Sequence, residues 1–185
     1  ALPGWRRDFF RGATPSPRLR EEGKGEVALF ADTFNTYFEP ENLRAAVEVL
    51  TRLGYRVTVL SAGAGERPLC CGRTYLSAGL VQQARAEARR VLAAATPLIA
   101  KGAAVVGLEP SCLLTLRDEF ISMLPGAEAE RLAARALLLE EFLASEVKAG
   151  RIQGPIATHR AKVLLHGHCH QKAFGAMPAI QSALA

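Results

Sequence analysis

The stretch EVALFAD, residues 26–32, decides the fold class of this chain. It has the length and the continuous apolar character of a buried strand. The segment EPENLRAAVEVLTRLG, residues 39–54, follows it with a proline in the first turn, apolar residues on one face and a terminal glycine, all typical of a helix. YRVTVL, residues 55–60, is short and β-branched, which predicts a second strand. This alternation predicts an α/β, Rossmann-like parallel sheet flanked by helices.

The rest of the chain continues the alternation of helices and strands. The further predicted elements are a helix over residues 77–95, a strand over 103–110, a short helix after Ser111, a long helix over about 127–149 and a fourth strand, AKVLLHG, over 161–167. In the helix over 77–95, the charged residues Arg85, Glu87, Arg89 and Arg90 are expected to form a solvated face.

Length and composition exclude several classes of protein. The chain has 185 residues, of which 49% are apolar and 22% charged, as expected for one domain with its own core. The net charge of +5 is dispersed along the chain. The sequence has no basic stripe with interleaved aromatic residues, so it does not indicate nucleic-acid binding. We expect no transmembrane segment, because no apolar run reaches about 18 residues. Four cysteines without a secretory signal predict reduced thiols and a cytoplasmic location.

The two ends of the chain indicate a piece of a longer protein. Residues 1–25 are rich in Pro, Gly and charge and are predicted to form an arm or linker, which leaves residues 26–185 as the α/β domain. The sequence begins at Ala1 rather than at a methionine, so we expect a fragment or a processed chain.

The cysteines all lie in predicted loops or at helix starts, near the ends of predicted strands. LCCG spans residues 69–72, EPSC spans 109–112 and HGHCH spans 166–170. Ligands of parallel sheets bind beyond the carboxyl ends of the strands, so these segments should converge on one edge. Cys112 should lie near a helix N-terminus, which favours the thiolate that binds soft metals. The alternative is that each cysteine is a small core residue.

Histidines and one glutamate accompany the cysteines. Three of the four histidines fall within five residues around Cys169, which makes His168 and His170 candidate metal ligands. Glu109 is either a ligand or the cap of the helix that follows Ser111. Cys70 and Cys71 are adjacent, and a disulfide between neighbours is strained, so they suit ligand or redox roles better than a structural bridge.

LCCG, EPSC followed by RDE, and HGHCHQKA, in this order, resemble the cysteine-rich CCG domain. That domain occurs in the heterodisulfide reductase B subunit, in the iron–sulfur subunit of glycolate oxidase, and at the C-terminus of FAD-linked oxidases resembling D-lactate and D-2-hydroxyglutarate dehydrogenases. The resemblance covers about residues 26–175. Two cysteines of the family pattern are absent, because Thr33 to Asn35 stand near the first position and Glu109 stands at another.

The resemblance implies an electron-transfer domain with an iron–sulfur cluster held by Cys70, Cys71, Cys112 and Cys169. FAD would be bound by another part of the same protein, and that flavin domain would be the partner of this chain. The whole protein would be an oxidoreductase acting on a small 2-hydroxy acid, while the isolated chain would not be catalytic and would carry little or no metal. The alternatives are a structural zinc module, a metal-free thiol redox domain, and cysteines that only pack.

Overall fold

A computed structural model describes residues 4–12, 23–154, 162 and 164–184. Its strands are β1 (Gly25–Phe30), β2 (Tyr55–Val59), β3 (Ala104–Gly107) and β4 (Ala136–Leu138). They form one all-parallel sheet in the order β2-β1-β3-β4. The predicted α/β architecture is therefore confirmed.

Ten helices surround this sheet in the described part of the chain. They are α1 (Thr33–Tyr37), α2 (Pro40–Arg52), α3 (Arg73–Ser77), α4 (Val81–Ala100), α5 (Pro110–Thr115), α6 (Glu119–Met123), α7 (Ala127–Arg135), α8 (Leu139–Lys148), α9 (Cys169–Ala173) and α10 (Met177–Leu184). No helix among the described residues is long and apolar enough to cross a membrane.

Each face of the sheet buries a separate apolar cluster, because successive side chains of a strand point to opposite sides. Ala28 and Phe30 of β1 pack with apolar residues of α4, α5, α6 and α7 on one face. Val27 of β1 and Val106 of β3 pack with residues of α2 and α8 on the other. The sheet is thus covered on both sides, as continuous apolar strands require.

The predicted long helix over residues 127–149 is wrong in its middle. Helix α7 ends at Arg135, and Ala136–Leu138 form strand β4 before α8 begins at Leu139. Alanine and leucine are strong helix formers, so local propensity favoured a continuous helix. The free edge of β3 overrides that preference, because residues 105–107 pair in parallel with residues 136–138 and bury Ala136 and Leu138.

The predicted fourth strand over residues 161–167 is also corrected. Residues 161 and 163 lie outside the described part, and residues 162 and 164–167 form no strand. Leu164 is 99% exposed. β4 lies beside β3 instead, and residues 164–167 join no strand of the described sheet.

The described part of the N-terminal segment packs on α1. The Phe10 amide donates to the Thr36 carbonyl at 2.9 Å, and the Phe10 side chain is buried against Leu29 and Leu43. The Trp5 ring lies 5.0 Å from the Tyr37 ring. Residues 4–12 contain no helix or strand, yet they belong to the packed structure, and the division between an arm and the α/β domain stays a prediction.

Candidate thiol site

The site lies at the carboxyl edge of the sheet, where the strand order reverses. The chain passes from β1 to β2 on one side and then crosses to β3 on the other. A crevice opens at such a switch point and is the usual ligand position in parallel sheets. Asp32 follows β1 and Glu109 follows β3, so two acidic residues enter the crevice.

Three of the four predicted cysteines meet in this crevice. Cys71 and Cys112 are buried in the same apolar cluster, Cys70 precedes Cys71 in the chain, and the three thiols lie close enough to shift one another's pKa. Cys71 is 3% and Cys112 is 6% exposed, while Cys70 is half-buried. The Cys70 sulfur accepts a hydrogen bond from the Gly72 amide at 3.5 Å. We call Cys70, Cys71 and Cys112 the thiol row.

All three members of the thiol row favour the protonated form. The interaction with the neighbouring Cys71 thiol, together with burial, raises the pKa of Cys70. The interaction with Cys112 raises the pKa of Cys71 to about 12. For Cys112, the interaction with Cys71 lowers the pKa, but burial and the nearby negative charges raise it by more.

The expected thiolate at Cys112 is therefore wrong for the unliganded chain. Helix α5 has only six residues, and the Glu109 carboxylate occupies its N-terminus. Glu109 accepts from the Cys112 amide at 2.5 Å and from the Ser111 hydroxyl at 2.7 Å. Burial would raise the pKa of Glu109, yet these hydrogen bonds lower it overall. The capping interpretation of Glu109 is confirmed, and its role as a metal ligand stays a prediction.

A buried ion-pair cluster holds the loop that carries Cys70 and Cys71. Glu87 of α4 is 2% exposed and pairs with Arg67 and with Arg90, the latter at 2.9 Å. Arg90 also donates to the carbonyls of Arg67 and Pro68 in that loop. These ion pairs and hydrogen bonds hold the loop against α4.

The expected solvated face on α4 is wrong at Glu87. This residue lies in the same helical stripe as the buried residues Ala84, Ala88 and Val91. The spacing of Glu87 relative to these apolar residues indicates a buried position, whereas its charge indicates an exposed one. Arg67, in the loop before Cys70, gave no comparable signal.

Close packing of the backbone completes the loop. Gly72 adopts φ +78°, and a Cβ atom there would lie 3.1 Å from the carbonyl oxygen and 3.2 Å from the Cα of Ala84. Only glycine fits this left-handed turn pressed against α4. Directly after it, Arg73 forms an ion pair with Glu119, which joins α3 to α6.

Cys169 does not join the thiol row. It is exposed at the start of α9, a helix that packs against α5. His168 caps α9 by accepting from the His170 amide at 3.2 Å, and the Nδ1 atoms of the two rings are 3.3 Å apart. Gln171 closes a capping box by accepting from the His168 amide at 2.8 Å. These histidines therefore have local structural partners.

Arg117 links α5 to the surroundings of α9. It donates two hydrogen bonds to Glu141, at 3.0 and 2.9 Å, and its guanidinium lies 5.6 Å from the centre of the Phe174 ring. Phe174 ends α9, the helix that begins with Cys169. Arg117 thus helps to set the position of Cys169 relative to the thiol row.

The cysteine sulfurs are atoms of the type that binds soft metals, but they are not placed to hold a metal ion together. Thiolates are the preferred ligands of iron–sulfur clusters and are common zinc ligands. Among the residues that the structure describes, however, no group of three or more His, Cys, Asp or Glu side chains is placed to hold a metal ion. The thiol row gathers three cysteines, and the fourth, Cys169, is exposed and lies outside it.

Comparisons with known proteins agree with the predicted relation to oxidoreductases. No family model matches the chain, and no solved structure matches it. It is 29% identical over 150 residues to lactate utilization protein A of Geobacillus kaustophilus, which covers 78% of this chain and 57% of that protein. It is 30% identical over 168 residues to a D-2-hydroxyglutarate dehydrogenase of Pseudomonas putida, which covers 87% of this chain but 15% of that protein. The chain is therefore similar to parts of two larger proteins, one of them a dehydrogenase.

Proposed function

We propose that this chain is the electron-transferring part of an oxidoreductase that acts on a small 2-hydroxy acid. The names of both relatives support the substrate class, because lactate and D-2-hydroxyglutarate are both 2-hydroxy acids. The chain corresponds to 15% of the dehydrogenase, which supports a role as one domain beside a flavin domain that binds FAD. The oxidation of the substrate would take place in that other part.

The observation that carries this proposal is the thiol row. Two segments that are distant in sequence bring Cys70, Cys71 and Cys112 to the switch-point edge, where parallel sheets bind ligands. Three cysteines with a purely structural role would not need to meet there. The ion pairs of Glu87 and the close approach of Gly72 to α4 hold two of them in place.

We further propose that Cys70, Cys71, Cys112 and Cys169 are the ligands of an iron–sulfur cluster in the complete protein. Such a cluster would supply a redox centre whose potential is set by its hydrogen bonds and exposure. The chain's own residues would supply the thiolates, and Arg117 would keep the helix of Cys169 beside α5. His168, His170 and Glu109 are the further candidate ligands.

Metal analysis of anaerobically purified protein tests this proposal. We expect iron with sulfide in the complete protein and little of either in the 185-residue chain. In the complete protein, Cys112→Ser should lose both iron and sulfide, because the substitution removes one thiolate of the thiol row. Flavin reduction by the substrate should survive in that variant, while electron transfer to an acceptor should fail.

Ser122→Ala, a similar change at an exposed position of α6, serves as the control and should retain iron. Zinc in both forms would instead indicate a structural module. Unchanged iron content and acceptor turnover in Cys112→Ser would contradict the cluster.

A second candidate function, metal-free thiol chemistry, is favoured by the burial of Cys71 and Cys112 in one apolar cluster, where the two thiols interact. Oxidation would break two S–H bonds and form one S–S bond, releasing two electrons and two protons to a low-molecular-weight disulfide. Cys70 is the less suitable partner of Cys71, since a bridge between neighbours is strained.

Oxidised glutathione should convert Cys71 and Cys112 into a disulfide that peptide mapping detects. The reaction should be slow at neutral pH and faster in mildly alkaline solution, because the pKa of Cys71 is raised to about 12 and only the thiolate attacks. Cys169, which is exposed, is the internal control and should form a mixed disulfide with glutathione, releasing one molecule of reduced glutathione. Recovery of both thiols unchanged would exclude this function.

A further inference from the structure

A row of aromatic rings runs along the surface formed by α1, the residue after it and the N-terminal segment 4–12. We call it the aromatic row, and its members are Trp5, Phe9, Phe34, Tyr37 and Phe38. Neighbouring ring centres lie between 5.0 and 6.4 Å apart, which is the spacing of aromatic rings in contact. The row includes the only tryptophan of the chain.

Two members of the aromatic row are exposed to solvent. Trp5 is 69% and Phe34 is 50% exposed, while the other three rings are half-buried. Tryptophan is on average one of the more buried residue types, and covering these rings would gain hydrophobic free energy. Because the exposed rings belong to one continuous apolar surface, they indicate an interaction site rather than isolated surface residues.

The segment that carries Trp5 is held firmly on α1. The Arg6 amide donates to the Tyr37 carbonyl at 3.0 Å, and the Arg6 side chain pairs with Asp8 at 2.8 Å. Asp8 also pairs with Arg44 of α2 at 3.3 Å. Rings that are fixed before association lose little side-chain entropy when a partner binds. Large, rigid aromatic side chains are therefore typical anchors of interfaces between proteins.

The aromatic row begins beside the thiol row. Helix α1 starts at Thr33, directly before Phe34, and Thr33 lies close enough to Cys70 to lower its pKa. Cys70 is the half-buried member of the thiol row, whereas Cys71 and Cys112 are buried. A partner that covers Phe34 would therefore lie next to the member of the thiol row that is open to the surface.

We propose that the aromatic row is the docking surface for the flavin-binding part of the complete protein. The chain matches 15% of the dehydrogenase of Pseudomonas putida, so most of that polypeptide lies outside the matched part. The proposal rests on the proposed function, because electrons from the flavin have to reach the thiol row and docking here brings the two parts together at Cys70.

The size of the aromatic row favours a part of the same polypeptide over a second copy of the chain. The exposed surface of Trp5 and Phe34 is on the order of 300 Å². A stable complex between separate molecules typically buries about 800 Å² on each partner. A covalently connected part is present at a high effective concentration and is held by a smaller contact.

Photocrosslinking in the complete protein tests the proposal. Phe34→p-benzoylphenylalanine keeps an aromatic ring at this position, and irradiation should link it to the flavin-binding part of the same polypeptide, as identified by mass spectrometry. Val147 is the matched control, since it is 49% exposed and follows Glu146, which bonds to Tyr55 at the start of β2, the opposite edge of the sheet. Val147→p-benzoylphenylalanine should give no such link. Absence of the link from position 34, or a link to a second copy of the chain, overturns the proposal.

A second variant removes an anchor instead of replacing it. In the complete protein, Trp5→Ser should slow electron transfer from the reduced flavin to the acceptor by about tenfold or more, because an interface anchor is lost. Reduction of the flavin by the substrate and the iron content should not change, and Val147→Ser should behave as the unmodified protein. Binding of the 185-residue chain to phosphatidylglycerol vesicles that is lost in Trp5→Ser would make the aromatic row a membrane-binding face and overturn the proposal. Absence of iron from the complete protein would contradict the proposed cluster but not the crosslink, so the two proposals fail separately.

Discussion

Replacement of Gly72 by alanine should lower the free energy of unfolding by about 2–4 kcal/mol. Two effects add here. The left-handed φ of +78° is unfavourable for a residue with a Cβ, and that Cβ would meet backbone atoms of Ala84 at 3.1 and 3.2 Å. Backbone cannot move aside as a flexible side chain can, so the loop should shift away from α4. Cys71 would then lose its contact with Cys112.

Gly65→Ala is the matched control for this change. Gly65 lies in the same loop with φ +79°, but no atom lies within 4 Å of its added Cβ. Its substitution should cost only the conformational strain, about 1–2 kcal/mol. Urea denaturation of both variants measures the difference, and thiol accessibility of Cys71 reports the loop shift. Equal losses of unfolding free energy in the two variants would show that the close approach of Gly72 to α4 contributes nothing to stability.

Replacement of Leu113 by alanine should lower the free energy of unfolding by about 2–5 kcal/mol. Leu113 is fully buried beside Cys112 in α5, and its side chain fills the space above Gly107 of β3. Its truncation would leave a cavity between the sheet and α5. Helix α5 would then be held less firmly, and the thiol of Cys112 should become accessible to alkylation.

Leu80→Ala provides the comparison, since Leu80 is 43% exposed and its truncation should change stability by no more than about 0.5 kcal/mol. Denaturation curves and alkylation of Cys112 are measured on both variants in parallel. A loss below about 1 kcal/mol for Leu113→Ala, or continued protection of Cys112, would argue against α5 being anchored through Leu113.

Local patterns were sufficient for most of the fold. Residues 26–32 and 55–60 carry the apolar and β-branched character of strands, and both predictions agree with the observed strands within two residues. The helix over residues 39–54 is likewise α2. The signals are strong because each element buries one continuous apolar face, which the sequence displays directly.

The fourth strand was not predictable in this way. Residues 136–138 are Ala-Leu-Leu, which favour a helix on their own, whereas residues 161–167 have the composition of a strand and form none where described. The choice depended on which segment reached the free edge of β3, a contact between residues that are about 30 positions apart. Pattern reasoning within a single window does not contain that information.

The sequence alone determined the parallel α/β architecture and the placement of the LCCG and EPSC motifs after parallel strands, because both follow from short-range periodicity and from the shared direction of parallel strands. Only the tertiary structure decided that Cys70, Cys71 and Cys112 form a row while Cys169 stays apart. It also decided that the pKa values of these thiols are raised, that Glu87 is buried and that Glu140 Oε2 has no hydrogen-bond partner among the described residues. These properties depend on burial and on contacts between segments that are distant in sequence. A local stretch of residues does not show which charges will be near one another or which groups will lose contact with water.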